Sequence, residues 1–458
     1  MIPEEHILKR VNKVLDLSWL DDLVRDCYSE DVGRPCIPCE QALRLMLCGF
    51  LHGVVQDRKL MREAQVNIAY RWFCGYELDD MLPDHSSLTR IRQRWGETRF
   101  RSIFERVVRQ CIDTGLVGGE MVHCDASLVR ADVSWESLVS TYVEKVAVEN
   151  PKQDDEPNGP DSPDEGVGKR QGKMKKRSRT DPDASMATSS KKVRLEPTYK
   201  QHTATDDLAG VVVDAEVTTG EVNEGVELLN QLQRIESTTG TKPNVVTCDR
   251  TYGSARNYQA LENEGIQAVI PPQKAGRPSK MPLCRFSYDP KHQIVRCPAG
   301  KKLTRIRRNA RGWFYQARRC DCDLCPFNKK CVPRSCRSRM VLIVDGYCAL
   351  LRARRKKRRG WNQQWVKAYG RHRYQVEGVH GEAKTVHGMQ RAVRRGLDNM
   401  KIQSYLTNVV INLKRLASHR LLLPGNFYHA AKCALKSLKQ YLMRQVARKG
   451  LTCYCPDY

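Results

Sequence analysis

The chain has 458 residues, of which 40% are hydrophobic, and its formal net charge is +26. This length allows two or three domains with hydrophobic cores, and the excess of positive charge points first to a polyanionic partner, most commonly nucleic acid. No apolar run is long enough to cross a membrane and the N-terminus has no signal-peptide pattern, so we expect a cytoplasmic protein without a membrane partner. Nineteen cysteines, an odd number, argue against a disulfide framework in that compartment.

Residues 1–118 are predicted to be helical. The stretch Glu40 to Val54 is amphipathic and strongly apolar, and Asp57 to Ile68 continues with helix formers. A third helix is expected to begin with Ser86 or Ser87 as its N-cap and to expose several arginines. A basic helix in a small helical domain is typical of DNA-binding modules, and an ordinary helical bundle with a solvated face is the alternative.

The character of the sequence changes after Gly118-Gly119. Met121 to Val133 is predicted to form a strand, a turn and a second short strand, with Asp125 in its middle. An acid inside a β run is disfavoured unless it is exposed or binds something. Asp125 is therefore the first candidate metal ligand.

Residues 145–197 lose all hydrophobic periodicity. An acidic part rich in proline and glycine is followed by a basic part. This composition predicts a largely disordered charged insertion, and its charge runs are more often solvated than bound to a partner.

Residues 198–283 return to an α/β pattern. We predict a strand at Gly210 to Val217, a helix at Gly220 to Ile235, and a strand at Asn244 to Asp249 followed by another helix. A short strand at Gln267 to Pro271 completes the segment. Open α/β sheets bind ligands at the carboxyl ends of their strands, so Asp249 is the second candidate ligand.

Residues 284–345 form a basic, cysteine-rich insertion. The spacing Cys322-x2-Cys325 places two thiolates on one tight turn, as a tetrahedral zinc site requires, and Cys297 and Cys331 could complete the site. Cys320 and Cys336 are rival ligands, and free thiols or a redox role remain as alternatives.

The stretch Arg371 to Arg395 is predicted to be one helix. Glu377 recurs at helical spacing with His380, Lys384 and His387, which places the four side chains on roughly one face. Glu377 is either a solvated ion-pair partner or a metal-binding carboxylate on a helix whose bases hold phosphates. An amphipathic helix at Asn399 to His419 and a basic tail follow.

Asp125, Asp249 and Glu377 form a set that an RNase H-like α/β fold would bring together. Such a triad holds two Mg²⁺ (or Mn²⁺) ions about 3.5–4 Å apart for phosphodiester chemistry. Carboxylates suit these hard cations. No Walker-type loop, GxSxG elbow or HExxH motif offers a rival site.

The segments HCDASLVRAD, TCDRTYGSARNY and YQVEGVHGEAK resemble the three motifs of bacterial insertion-sequence transposases of the Asp-Asp-Glu (DDE) class. They are most similar to the branch whose third motif is Tyr-x2-Arg-x3-Glu-x6-Lys. Arg373, Glu377 and Lys384 match that spacing, whereas Tyr369 lies one residue further from Arg373 than the pattern asks. The resemblance extends from about residue 30 to 420 and includes the cysteine-rich insertion.

This resemblance implies a DNA transposase that cuts and joins strands at the ends of an insertion sequence. Its partners would be terminal inverted repeats and target DNA, and synapsis of two ends implies at least a homodimer, nucleoid-associated when bound. DNA contacts are expected from Arg373, Lys384, Arg391, Arg394 and Tyr252. The rivals are a nuclease that does not join strands and a catalytically inactive, zinc-containing DNA-binding protein.

The expected domain division follows from these segments. It comprises a helical N-terminal DNA-binding or oligomerisation domain (1–118), three parts of an RNase H-like core (119–144, 198–283 and 346–420), a disordered charged insertion (145–197), a cysteine-rich basic insertion (284–345) and a basic C-terminal tail (421–458).

Overall fold

The computed structural model describes residues 2–28, 37–143, 173–188, 194–273, 281–334 and 336–422. Much of the predicted charged insertion at 145–197 and nearly all of the basic tail at 421–458 lie outside these ranges. Among the helices that the structure describes, none combines the length and the apolar character that a membrane crossing needs.

Six helices occupy the described residues before the first strand. They are α1 (Ile7–Asn12), α2 (Leu20–Val24), α3 (Cys39–Leu51), α4 (Asp57–Val66), α5 (Ile68–Cys74) and α6 (His85–Asp113). The N-cap of α6 is Asp84, whose carboxylate accepts a hydrogen bond from the Ser86 backbone N–H at 2.8 Å. The prediction of a serine cap was wrong because the helix begins earlier, at His85, where the Asp84 carboxylate supplies a charged acceptor for the first turn.

A mixed six-stranded sheet forms the centre of the molecule. Its strands are β1 (Met121–Arg130), β4 (Ser185–Ala187), β5 (Glu196–Asp206), β6 (Val212–Thr219), β7 (Val245–Cys248) and β8 (Gln267–Val269). One edge of β5 pairs with β1, and its other edge pairs with β6 and β4, all antiparallel. The strands β1, β7 and β8 run parallel.

The strand β1 is continuous, so the prediction of two short strands separated by a turn was wrong. It pairs with β5 from Val122 to Arg130, which leaves no residue free to turn. The order β6-β5-β1-β7-β8, antiparallel on one side and parallel on the other, is consistent with an RNase H-like core. Next to it, β2 (Leu138–Val143) and β3 (Lys173–Ser178) form a separate two-stranded sheet.

The chain leaves β6 through a short 3-10 turn at Glu224–Val226 before α7 (Leu228–Thr239) begins. The predicted helix at Gly220 to Ile235 therefore starts too early. The Asn223 side chain accepts a hydrogen bond from the Gly225 N–H and so stabilises the turn instead. The helix α8 (Ala255–Asn263) then connects β7 to β8.

The long helix α14 (Leu397–Leu422) joins the N-terminal helices to the sheet. It packs against α6, α3 and β6. Side chains such as Leu43, Phe104, Val213 and Val410 belong to one continuous buried core. The N-terminal helices and the sheet thus share their hydrophobic interior.

The cysteine-rich segment has a small core of its own. Five antiparallel strands form it: β9 (Ser287–Asp289), β10 (Ile294–Arg296), β11 (Lys302–Asn309), β12 (Gly312–Ala317) and β13 (Met340–Val344). Two short helices, α9 (Arg319–Asp323) and α10 (Asn328–Cys331), lie between β12 and β13. Val295, Leu303, Tyr315 and Val341 fill the interior of this subdomain.

The segment that carries Glu377 is not the single helix predicted. After α11 (Tyr347–Arg359), the helix α12 (Gln363–His372) passes into a π-helical turn at Arg373–Glu377 and then into α13 (Gly378–Thr385). Helical structure ends there because the next residues dock on the N-terminal helices, with His387 Nδ1 lying 2.7 Å from the Phe50 carbonyl oxygen.

Candidate active site

Asp125 and Asp249 are neighbours at the point where the parallel pairing of β1 and β7 ends, Asp125 in the middle of β1 and Asp249 directly after β7. Cys124 of β1 lies opposite Cys248 of β7 in the parallel register, and each of these cysteines precedes one of the acids. The sheet register therefore places the two acids side by side. This is the edge at which α/β sheets bind ligands.

The carboxylate of Asp249 is held by the turn that it caps. Its Oδ1 accepts a hydrogen bond from the Thr251 N–H at 2.7 Å, and its Oδ2 accepts one from the Thr251 hydroxyl at 3.0 Å. Each carboxylate oxygen keeps a second lone pair for another partner. The acid is therefore oriented while it can still bind a ligand.

Glu377 lies at the end of the π-helical turn, which packs against β1 and β5. Its side chain is 58% exposed and forms an ion pair with Arg373, whose Nε lies 3.3 Å from Oε2 and whose side chain is 79% exposed. An ion pair this exposed is weak. Glu377 can therefore turn toward the other acids at little cost, and π turns of this kind are frequent at functional sites.

The electrostatics of Asp125 show that the acids face one another. Burial, followed by the negative charges of Asp249, Glu224 and Glu377, raises its pKa to about 7, against a backbone N–H that lowers it. Negative charge at this position is therefore disfavoured in the folded protein. A divalent cation would stabilise it.

Glu224 is a fourth acid that the sequence analysis missed. It lies in the 3-10 turn after β6, and burial followed by the charge of Asp249 raises its pKa despite the nearby Lys200. A strand followed directly by an acid in a turn is the pattern that identified Asp249. The expectation of a helix from Gly220 hid the same signal at Glu224.

His380 and Lys384 on α13 lie beside Asp125. His380 Nδ1 is 3.7 Å from Asp125 Oδ2, and burial lowers the pKa of His380 to about 3, so this imidazole is neutral. Burial lowers the pKa of the half-buried Lys384, while the charge of Asp125 favours its protonated form. Lys384 thus adds positive charge at the rim of the acidic cluster.

Of three further predicted DNA contacts, two lie within the fold and one is exposed. Tyr252 is completely buried, so the expectation that it contacts DNA is incompatible with this structure. Arg394 is only 16% exposed and lies 2.8 Å from the buried carboxylate of Asp57, which makes it a structural ion-pair partner. Arg391 is exposed and lies 3.1 Å from Asp132, so it stays available at the surface.

The four cysteines chosen from their spacing converge on one place. Cys297, Cys322, Cys325 and Cys331 line an enclosed cavity of about 20 Å³. Burial raises the pKa of Cys322 and Cys331, and neighbouring thiols contribute to both increases. Of the two rival ligands, Cys320 is exposed and Cys336 is partly buried.

Over the described ranges, no three His, Cys, Asp or Glu side chains already stand in a metal-binding arrangement. The chemistry of the two donor sets nevertheless fits metals. Mutually repelling carboxylates suit a hard divalent cation, and clustered thiols suit zinc. For the carboxylates to bind a cation together, the side chain of Glu377 must rotate toward the other acids. Its exposure allows that rotation.

Two family models match the chain. One, described as a transposase domain (DUF772), matches residues 1–94, and the other, described as a transposase DDE domain, matches residues 296–417. The chain is a DDE-type DNA transposase. The second match contains Arg373, Glu377 and Lys384, and the prediction of a transposase that cleaves and joins DNA is confirmed.

No curated protein matches the transposase. Among solved structures, it is similar to a piggyBac transposase synaptic complex with hairpin DNA, with 11% identity, a TM-score of 0.32, and coverage of 98% of this chain and 86% of that one. A Mos1 mariner paired-end complex with Mn also matches, with 11% identity, a TM-score of 0.16, and coverage of 56% and 67%. Similarities this remote carry no argument about the site.

Proposed function

We propose that the transposase cleaves and joins DNA strands at a centre where Asp125, Asp249 and Glu377 hold Mg²⁺ or Mn²⁺. The observation that supports this most directly is the register of β1 and β7, which leaves two acids side by side at the carboxyl edge of the sheet. The charge of Glu377 reaches Asp125 from the neighbouring π turn. Three segments distant in sequence thus contribute one acidic cluster.

Each residue has a role that follows from its surroundings. The carboxylates would hold the ions, and the ions would supply activation of a water or a 3′-hydroxyl and stabilisation of the leaving oxygen. Thr251 orients Asp249 through two hydrogen bonds. Arg373, exposed beside Glu377, and Lys384, beside Asp125, are placed to contact the phosphates of the bound strand.

We propose membership of the Tyr-Arg-Glu-Lys branch from Arg373, Glu377 and Lys384, whose spacing matches that pattern. Tyr369 departs from the pattern by one residue, and this extra residue lies in α12, before the π-helical turn at Arg373–Glu377. Burial, followed by the charge of Asp249, raises the pKa of Tyr369, so the phenol still lies toward the acids.

We also propose the domain roles inferred from the sequence. The helical segment 1–118 would bind the terminal inverted repeats and mediate dimerisation, and the three core segments (119–144, 198–283 and 346–420) would carry the chemistry on terminal and target DNA. Synapsis of two element ends requires at least two copies of the chain. The enzyme would then be nucleoid-associated while it acts.

A structural zinc ion in the insertion at 284–345 is a separate part of the proposal. Four thiols, Cys297, Cys322, Cys325 and Cys331, surround a cavity about large enough for one small ion. Purified protein should contain about one zinc per chain, and Cys322→Ser should lose it, whereas Cys320→Ser should retain it. Less than about half a zinc per chain in wild type would contradict this part.

Strand cleavage tests the catalytic proposal. DNA carrying the element ends should be cut by wild type with Mg²⁺ or Mn²⁺, and Asp249→Asn and Glu377→Gln should each abolish cutting while DNA binding persists. Asp22→Asn, in an exposed ion pair on α2, is the matched control and should cut normally. Cutting that persists in either acid variant would mean that other residues hold the metal.

A further inference from the structure

The turn that carries Glu224 is fixed against the turn that carries Asp249. The side-chain amide of Asn257 donates hydrogen bonds to the carbonyl oxygens of Gly225 at 2.9 Å and Tyr252 at 3.0 Å, one in each turn. A Cβ at Gly225 would lie 3.1 Å from that amide and 3.4 Å from the Thr251 carbonyl oxygen. Glycine is needed here because the two turns approach so closely.

Thr251 links the two acids directly. Its hydroxyl donates a hydrogen bond to Asp249 Oδ2 at 3.0 Å, and its side chain is also close enough to Glu224 to oppose the rise in the pKa of that acid. The side chain of Glu224 is only 22% exposed. Glu224 and Asp249 are therefore held on either side of one hydroxyl.

Tyr252 has a buried hydroxyl close to the acids. Its side chain is fully buried, and within the described part of the chain its hydroxyl has no hydrogen-bond partner. After burial, the charges of Asp125 and Glu224 contribute most to its raised pKa, so the phenol lies near both carboxylates. A buried hydroxyl is normally hydrogen-bonded, and a water on a hydrated cation held by the acids would supply that partner.

The simpler reading of Glu224 is an ion pair with Lys200, whose Nζ lies 3.6 Å from Oε1. That ammonium, however, also donates a hydrogen bond to the Val222 carbonyl at 2.6 Å. An ion pair alone would lower the pKa of Glu224, whereas the pKa is raised because burial and the charge of Asp249 outweigh Lys200. The ion pair therefore leaves part of the charge of Glu224 without compensation.

We propose that Glu224 is a fourth carboxylate ligand of the metal centre and binds one divalent ion together with Asp125 and Asp249. Four carboxylates would balance the charge of two divalent cations, which three do not. The buried hydroxyl of Tyr252 would donate a hydrogen bond to a water on that ion. This inference rests on the proposed metal centre.

The test is Mn²⁺ binding to the full-length chain without DNA, measured by calorimetry, so that activity is not the readout. Glu224→Gln should weaken Mn²⁺ binding at least about tenfold, the loss typical of groups that hold or orient a metal. The matched control is Glu227→Gln, three residues further on, where the carboxylate lies 3.6 Å from Arg234. The control should bind Mn²⁺ like wild type.

A second variant distinguishes the loss of a metal ligand from a folding defect. Glu224→Asp retains the charge on a shorter side chain and should bind Mn²⁺ with intermediate affinity. Wild-type affinity in Glu224→Gln, with Asp249→Asn impaired, would overturn the role of Glu224 alone. Failure of wild type to bind Mn²⁺ would instead overturn the proposed metal centre.

Discussion

The Nδ1 atom of His372 lies 3.0 Å from the hydroxyl of Thr247. The same hydroxyl lies 2.6 Å from Nδ1 of His123. Thr247 precedes Asp249 by two residues on β7, His123 precedes Asp125 by two on β1, and His372 ends the helix that leads to Glu377. One buried hydroxyl thus joins the three segments that carry the acids.

Thr247→Val should destabilise the protein by removing the hydroxyl that contacts both His123 and His372. Valine has nearly the same shape but no hydroxyl, so buried imidazole nitrogens lose their partner at a cost of about 1–3 kcal/mol in the free energy of unfolding. Urea unfolding measures the loss, and Thr247→Ser, which retains the hydroxyl, should recover most of it. Equal destabilisation by valine and serine would show that packing, not the hydrogen bonds, matters here.

Acid should destabilise the protein partly through His372. Burial lowers the pKa of His372 from 6.5 to about 4, with His123 contributing, so the unfolded chain binds this proton more readily than the folded one. The contribution of the neutral His372 imidazole to the free energy of unfolding is complete above pH 6.5 and is lost as the pH falls toward 4. Unfolding free energies measured across this range should fall less steeply for His372→Gln than for wild type, and parallel curves would contradict the prediction.

Asp57→Ala should strongly destabilise the contact between the N-terminal helices and the segment before α14. The Asp57 carboxylate accepts hydrogen bonds from the buried Arg92, from Arg394 at 2.8 Å and from the Thr89 hydroxyl at 3.0 Å. Removing it leaves buried charge unpaired, at a cost of about 3–5 kcal/mol. Chemical denaturation should show this loss, while Asp22→Ala, in an exposed pair, should change stability by less than about 1 kcal/mol.

Gly53→Ala should destabilise the same contact for a steric reason. Gly53 has a φ of +69°, and a Cβ there would lie 2.5 Å from the Val386 carbonyl oxygen. Gly240→Ala is the matched control because Gly240 has a φ of +67° and nothing within 4 Å of its Cβ position. Both variants carry a backbone cost of about 1–2 kcal/mol, and a thermal melt should show a larger loss for Gly53→Ala. Equal losses would mean that the Val386 segment moves freely.

The local chemistry of the three acids could be read from the sequence. Asp125 within a β run and Asp249 after a strand follow from local composition, and Arg373, Glu377 and Lys384 follow from their spacing. The cysteine spacing likewise selected four thiols that line one cavity. Such signals are local, because they depend on residue type and on separations of a few positions.

The position of Glu224 and the burial of Tyr252 were decided only by the tertiary structure. The chain before β7 turns back so that the Glu224 turn meets the Asp249 turn, and a contact such as that between the Asn257 side chain and the Gly225 carbonyl, across 32 residues, has no periodic signature in the sequence. Arg394 is paired with Asp57 for the same reason, since the partners lie 337 positions apart.

The sequence by itself therefore determined which residue types were available for metal and phosphate chemistry and on which elements they lie. Only the folded chain decided which of them face one another. Register and packing place Asp125 beside Asp249, and they take Tyr252 and Arg394 away from the surface. The physical reason is that burial and long-range pairing, which set the electrostatics of each side chain, are properties of the whole core.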